Sequence, residues 1–584
     1  MKKTVFGRLI SIVLIAVMTA ALLAGCKKDD TGKTDNSGTG TQNSGTQNSG
    51  TQNNGGTDVA PVTVSEDAGI KGWKPFDSNV TISIPVYDRG EDGDETNNYW
   101  TQWIQKEFGD KYNITVNFQA IGRGTVLDDY NNLATANNLP TVLMEYDFDK
   151  CAYWANDGFL QELDLEAFAN VAPTYYQMMV DNNYLQYTSL NGKTYFVLAE
   201  RPYSDTNYTW VTFYRKDWLD TLGKTYPVNW SDWLDLYKAI KDKGLAAYPA
   251  GGTKVEGAGV DQNYAYRTYP QDEVTWATQG DYSIPALTTD AQKTLLQRRN
   301  QLYNLGYFDP DFTTKSSSDA EADFVAGKAF AYSTYISPGI GVLDSFYAAN
   351  PDATLAIAPV STATTDGAGG VPAAYRVNNA YGMMIGFSAK ASADQVKAAQ
   401  MYMEWLIQPE NLFTFQYGYE NDTFKYDANG NANVLPAEEQ KPDYLMVARQ
   451  NKDYFCIVIE ARKLASIEDT VTASYPSAYK DSADFYKQIV ENYYNYKKVI
   501  SDTPMYAVTD CKFAATLEQA ASLSEYLCSQ YATYASQLTI CKESEFDALY
   551  ADLCAKYLND GYQTVIDERK ALFDAGKTSS LPKY

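Results

Sequence analysis

From Val80 onward the chain alternates two hydrophobic periods. Val80, Ile82, Ile84 and Val86 recur at every second position and predict a strand. Tyr99, Trp100, Trp103, Ile104 and Phe108 then fall at helical spacing. Ile114, Val116 and Phe118 predict a second strand, residues 127–136 a helix, and Thr141-Val142-Leu143-Met144, straight after Pro140, a third strand. Strand–helix alternation of this kind predicts an α/β fold with a parallel-type sheet flanked by helices. Ligands of such sheets bind beyond the carboxyl ends of the strands. That geometry makes Tyr87 and Asp88, after the first strand, and Tyr146 and Asp147, after the third, candidate ligand-binding residues.

The amino end follows a different pattern. Lys2, Lys3 and Arg8 precede an apolar run over residues 9–17, and small residues lead into Leu23-Ala24-Gly25-Cys26. This order predicts a signal peptide over residues 1–25, its run shorter than the roughly 20 residues a spanning helix needs. The last four residues resemble a bacterial lipobox, in which the Cys26 thiol receives a diacylglyceryl group; each buried methylene adds about 0.8 kcal/mol of membrane affinity. Residues 26–72 hold the anchor and a polar spacer containing Thr41-Gln42-Asn43-Ser44-Gly45 twice in succession. Such a coil lets a body stand roughly 35–40 Å from its anchor. The expected location is the outer face of the cell membrane.

Composition narrows the chemistry. The 584 residues carry a formal charge of −25, and removal of 1–25, with three basic and no acidic residues, takes it to −28. Nucleic-acid binding rests on phosphate neutralisation by Lys and Arg, so this balance argues against it. The chain has no histidine, which excludes Ser-His-Asp and Cys-His catalysis and HExxH zinc sites. Seven cysteines include Cys26 and form no CxxC, so neither a metal knuckle nor a redox motif is expected; small buried side chains account for them as well as disulfides do. No cofactor and no metal is expected. Asp427-Ala428-Asn429-Gly430-Asn431 has the look of a calcium loop but lacks the glutamate of loop position 12; Asn429-Gly430 instead predicts a type I′ hairpin turn.

The middle of the chain carries a more specific signal. Leu190-Asn191-Gly192-Lys193-Thr194-Tyr195 leads into Phe213-Tyr214-Arg215-Lys216-Asp217-Trp218-Leu219, then Leu222-Gly223, Pro227 and Asn229-Trp230-Ser231-Asp232-Trp233. Further on stand Asp323-Phe324-Val325-Ala326-Gly327-Lys328-Ala329, Gly382-Met383-Met384-Ile385-Gly386-Phe387-Ser388-Ala389-Lys390 with a helix over 395–405, and a hairpin through Tyr417-Gly418-Tyr419 to Asn431. In this order the blocks resemble those of family 1 extracellular solute-binding proteins, especially LipO-type lipoproteins, the substrate-binding components of carbohydrate ABC transporters. The resemblance implies a two-lobed, periplasmic-binding-protein-like fold with a helical carboxyl-terminal region. Its lobes would comprise 73–204 plus 383–440 and 205–382 plus 441–584, joined by chain crossings near 200–210, 378–384 and 440. It also implies a monomer that captures a sugar or oligosaccharide between its lobes and delivers it to ABC transporter permease subunits, without enzymatic activity.

Tyrosine supplies an apolar ring for a sugar face and a hydroxyl for its rim, and this chain has 48 of them. Trp154, Trp210 and Trp276, read as lying in loops or crossings, join Tyr335 and Tyr375 as stacking candidates. Arg201 and Arg376, beside crossings, are candidates for bidentate bonds to hydroxyls. Two other readings stay open. A glycan hydrolase needs only two suitably spaced carboxylates, which 73 acidic residues supply by chance. A sensory or adhesive lipoprotein of the same fold would keep the cleft and lack the importer.

Overall fold

The computed structural model describes residues 61–88, 94–123, 125–202, 210–254, 267–268, 273–280, 284–335, 341–359, 373–376, 379–428, 430–435, 439–444, 453–460, 466–474, 479–502, 507–508, 511–513 and 515–579. The expected signal peptide, Cys26 and the repeat-bearing part of the spacer lie outside these residues. No described helix is long and apolar enough to cross a membrane.

The α/β class read from the sequence is observed. Strand Val80–Asp88 pairs in parallel with Ile114–Gly122, Val80 opposite Ile114 and Asp88 opposite Gly122. Between them runs helix Tyr99–Ile104, opened by an Asn98 capping box and continued by a π-helical turn Gln105–Gly109. Gln105 pins this turn to the second strand, donating to Ile114 O (2.9 Å) and accepting from Val116 N (2.8 Å). Only glycine fits at 109, where a Cβ would lie 2.5 Å from Ile114 O.

The third strand departs from the expected parallel sheet. Val142–Glu145 touches the first strand through Thr141 N–H, which donates to Ser83 O (2.9 Å). Its main partner is Met384–Phe387, antiparallel, which also pairs antiparallel with Phe196–Leu198. Among the described strands, parallel pairing is confined to the first two and to Ala373–Arg376 with Ala507–Val508. The reason is the late return of the chain: the all-buried Met384–Phe387 strand inserts between two early strands. Helix Ala393–Ile407, capped by Ser392, then follows.

Four substantial apolar cores result. The first gathers residues from 80 to 199, 381 to 415 and 454 to 459. A second is built from 211–357 with 467–493, around the antiparallel sheet of Trp210–Arg215, Ala331–Tyr335 and Leu355–Ile357. A third lies within 218–330, and a fourth joins 277–296 to 511–565 in the carboxyl-terminal helices. Helix Asp290–Asn304 gives Leu296 to the fourth and Leu295 and Leu302 to the third, tying them together.

The chain returns once more to the first core after residue 440. Near residue 440 it lies against the hairpin, with Lys441 N–H donating to Asp422 O (2.8 Å). Residues 454–459 bury Tyr-Phe-Cys-Ile-Val-Ile in the first core. The hairpin Phe424–Tyr426 with Ala432–Val434 forms as expected. Asn429 of the expected type I′ turn lies outside the described residues; beside it Asp427 N–H donates to Asn431 O (2.9 Å) and Gly430 N–H to Asp427 O (3.1 Å).

Candidate functional site

Register brings several sequence-predicted residues to one sheet edge. Glu145 faces Met384, and Met384 faces Leu198, so the next residues of these passes emerge side by side. Tyr87 joins this edge from the first strand, its hydroxyl donating to Glu145 Oε2 (3.1 Å) and Met144 O (3.4 Å). Glu145 is 1% exposed. Its charge is met by Arg123, whose Nη1 lies 3.4 Å from Glu145 Oε2. The guanidinium sits 4.8 Å from the Tyr87 ring centre and 5.8 Å from that of Tyr146. Arg123 was not among the expected residues. Its place one step past the second strand, level with Asp88, was the signal that could have found it; its N–H donates to Asp88 O (2.9 Å).

Asp147 caps helix Phe148–Asn156, accepting from Asp149 N–H (3.2 Å). Lys150 stands 3.9 Å from Asp147, while Lys512, from the distant strand Lys512–Phe513, stands 3.8 Å from Asp147 and 3.5 Å from Asp149. Burial pushes the neighbouring Tyr381 phenol far above its ordinary value. It holds the Cys151 thiol up as well.

Three passes of chain meet at the same edge. Ala199 N–H donates to Met383 O and Gly382 N–H returns to Ala199 O, both at 2.9 Å. Glu200 N–H donates to Val458 O (2.9 Å), and Glu460 N–H to Glu200 O (2.8 Å). A side chain at 382 would put its Cβ 3.0 Å from Glu200 O, so glycine permits this approach. Arg201 pairs with Glu460 at 3.1 Å, and its N–H donates to the Tyr184 hydroxyl (3.2 Å).

Two of the remaining candidates are held in helices. Trp154 and Trp276 were read as loop or crossing residues, and both are helical, in Phe148–Asn156 and Glu273–Gln279. The Asp147 cap starts the first helix, and Trp154 turns inward, 1% exposed, with its ring edge-on to Tyr130 at 4.6 Å. Trp276 packs against the fourth core. Trp210 and Tyr335 are direct partners across antiparallel strands, and Tyr375 and Arg376 pair with Ala507 and Val508. The side chains of these four lie outside the described residues. Among the described residues, no three Asp, Glu or Cys side chains converge as a metal site requires.

The edge thus presents the Arg123 guanidinium, its side chain 37% exposed, backed by the buried Tyr87 ring and flanked by half-buried Tyr146. A guanidinium held in this way is equipped to donate hydrogen bonds to a ligand.

Comparison with known proteins follows the same line. The family model described as "Bacterial extracellular solute-binding protein" matches residues 92–412. An extracellular solute-binding protein from Bifidobacterium longum subsp. infantis is similar in structure, with a TM-score of 0.58 at 15% identity over 88% of this chain and 100% of that one. The substrate-binding protein FusA of S. pneumoniae, solved with kestose, has a TM-score of 0.55 at 16% identity, covering 85% and 99%. NgtS, an N-glycan transport solute binding protein from Streptococcus pneumoniae, has a TM-score of 0.52 at 15% identity, again over 85% and 99%. Likeness at such identities is likeness of fold. No curated protein sequence matches the chain. With the family model matched over more than half of its length, the chain belongs to the bacterial extracellular solute-binding protein family.

Proposed function

We propose that this protein is a lipid-anchored receptor that captures an oligosaccharide between two lobes and passes it to the permease subunits of an ABC importer. The first lobe is the body around the first core, and the second is the body around the other three. The hydrogen-bonded passes at 199–201, 382–383 and 458–460 act as the hinge. The observation that carries the reading is the convergence of Tyr87, Arg123, Glu145, Tyr146 and Asp147 beside those passes, in a chain of this family. A ligand touching both lobes favours closure in proportion to its added contacts. Kestose bound to FusA and the N-glycan transport role of NgtS lend support to the ligand class.

Asp88 and Arg201 complete the ligand set on the first-lobe side, with Trp210, Tyr335, Tyr375 and Arg376 reaching the ligand from the other. Cys26 supplies the anchor, and the mature protein acts as a monomer. Isothermal titration of the purified body against oligosaccharides, with chromatography of the sugars afterwards, tests the reading. Binding with sugars returned intact and a smaller radius of gyration in solution scattering is expected. Enzyme-proportional release of shorter sugars refutes it in favour of a hydrolase. Cys26→Ser should abolish labelling by a fatty-acid probe, and retained label would remove the anchor.

A further inference from the structure

An ion cluster beside the sheet edge joins the two bodies of the chain. Lys512 lies in strand Lys512–Phe513, which pairs antiparallel with Thr578–Ser579. Its neighbours Cys511 and Phe513 are both buried in the fourth core. Successive residues of a strand point to opposite sides, so burial of 511 and 513 there turns Lys512 the other way. On that side stands helix Phe148–Asn156, which Asp147 caps and which carries Asp149 in its first turn, where the helix dipole favours carboxylates. Lys512 Nζ reaches both carboxylates, 3.8 Å from Asp147 and 3.5 Å from Asp149. Cys151, Ala152 and Trp154 of this helix are buried in the first core. The carboxylates therefore move with the first body, and Lys512 with the second.

We propose that Lys512 is a latch between the lobes, holding the second lobe against the ligand edge before a ligand arrives. The proposal rests on the two-lobed reading given above. Uneven shielding decides its sign. The Lys512 side chain is 11% exposed, whereas those of Asp147 and Asp149 keep 37% and 23%. One cation thus bears most of the cost of leaving water, and it gains the attraction of two anions. Such shielding also limits screening by salt, which weakens fully exposed pairs. Lys150 has no such role: it stands 3.9 Å from Asp147 on the same helix and accompanies it wherever the lobes go. The segment that Lys512 grips continues directly from Glu145 and Tyr146, the residues that flank Arg123. The latch therefore fixes the second lobe relative to the ligand edge itself.

Small-angle scattering of the ligand-free full chain tests this, the tether being common to every variant. Lys512→Met leaves two carboxylates facing an apolar side chain and should raise the radius of gyration. Lys512→Arg keeps the charge and should keep the wild-type radius. Asp147→Asn combined with Asp149→Asn removes the contact from the first lobe instead. Asparagine still caps a helix, so this pair should fold, and its radius should rise as well. Far-ultraviolet circular dichroism checks folding, and the asparagine pair carries the test if Lys512→Met unfolds. A folded Lys512→Met, or a folded asparagine pair, with the wild-type radius overturns the latch. No ligand is present, so that outcome leaves sugar binding, read by titration, standing. A wild type that binds sugar with no change in radius overturns the two-lobed reading instead.

Discussion

Raising the pH above 10 should unfold this protein in one sharp step. Tyr87, Tyr130, Tyr175, Tyr381, Tyr402 and Tyr454 are all buried in the first core. Burial pushes each of these phenols well above its ordinary value, with nearby carboxylates adding to the shift at Tyr87 and Tyr130. The folded state therefore keeps protons that the unfolded chain gives up near pH 10. Where the folded state holds more protons, stability falls as pH rises, by about 1.4 kcal/mol per pH unit for each group. Six groups together remove roughly 8 kcal/mol per unit. An ordinary stability of about 5–15 kcal/mol is thus exhausted within about one to two units. Phenolate absorbance and far-ultraviolet circular dichroism should change together, at a midpoint between about pH 10.5 and 12, with release of several protons per molecule. Tyr130→Phe should make the transition shallower, provided that its lost hydroxyl does not unfold the core beforehand. Phenolates that appear gradually while the dichroism stays native would refute the reasoning, because the buried rings would then be ionising inside the folded lobe.

Two further substitutions probe the first core. Trp154→Ala should cost about 3–5 kcal/mol in urea denaturation, as for a buried aromatic; lost ligand affinity with unchanged stability would instead assign this ring to the ligand. Glu404 reaches from helix Ala393–Ile407 to accept the N–H groups of Thr174 and Tyr175, each at 3.0 Å, at the start of helix Pro173–Asp181. Glu404→Ala should cost about 2–4 kcal/mol by leaving those donors unmet. Burial raises the Glu404 carboxyl above its ordinary range. Its contribution is therefore full below the unfolded value near pH 4.3 and declines as pH rises through the folded one. The gap between wild type and Glu404→Ala should narrow from acid towards neutral pH, and a widening gap would refute this.

Local pattern carried much of the fold and little of the pairing. Period two found the strands at Val80 and Ile114, and a short apolar run after Pro140 found the one at Val142. These signals depend on neighbours within a few positions. Which strand lies beside Val142–Glu145 depends on Met384–Phe387, some 240 positions later, and no period encodes that choice. The site followed the same division. Asp147 was legible as a residue just past a strand end, whereas Tyr87 and Asp88, read as following the first strand, lie within it, because its pairing with Ile114–Gly122 runs on to Asp88. Lys512 was not legible, because it reaches Asp147 only through the return of the carboxyl-terminal segment. Trp154, read as a loop or crossing residue, lies instead in the helix that Asp147 caps, Phe148–Asn156.

The three separated stretches of the first core bear on how such a chain matures when it emerges amino end first. Strands Val142–Glu145 and Phe196–Leu198 would wait for Met384–Phe387, and the core would wait again for residues 454–459. Until then two hydrophobic strand edges stand open to any neighbouring chain, and the second body, threaded between them in sequence, has already had time to collapse. Closure of loops of this length adds only a modest entropic cost at equilibrium, yet it slows the search for native pairing. Completion of the first core thus depends on the last of its three stretches to be made, residues 454–459.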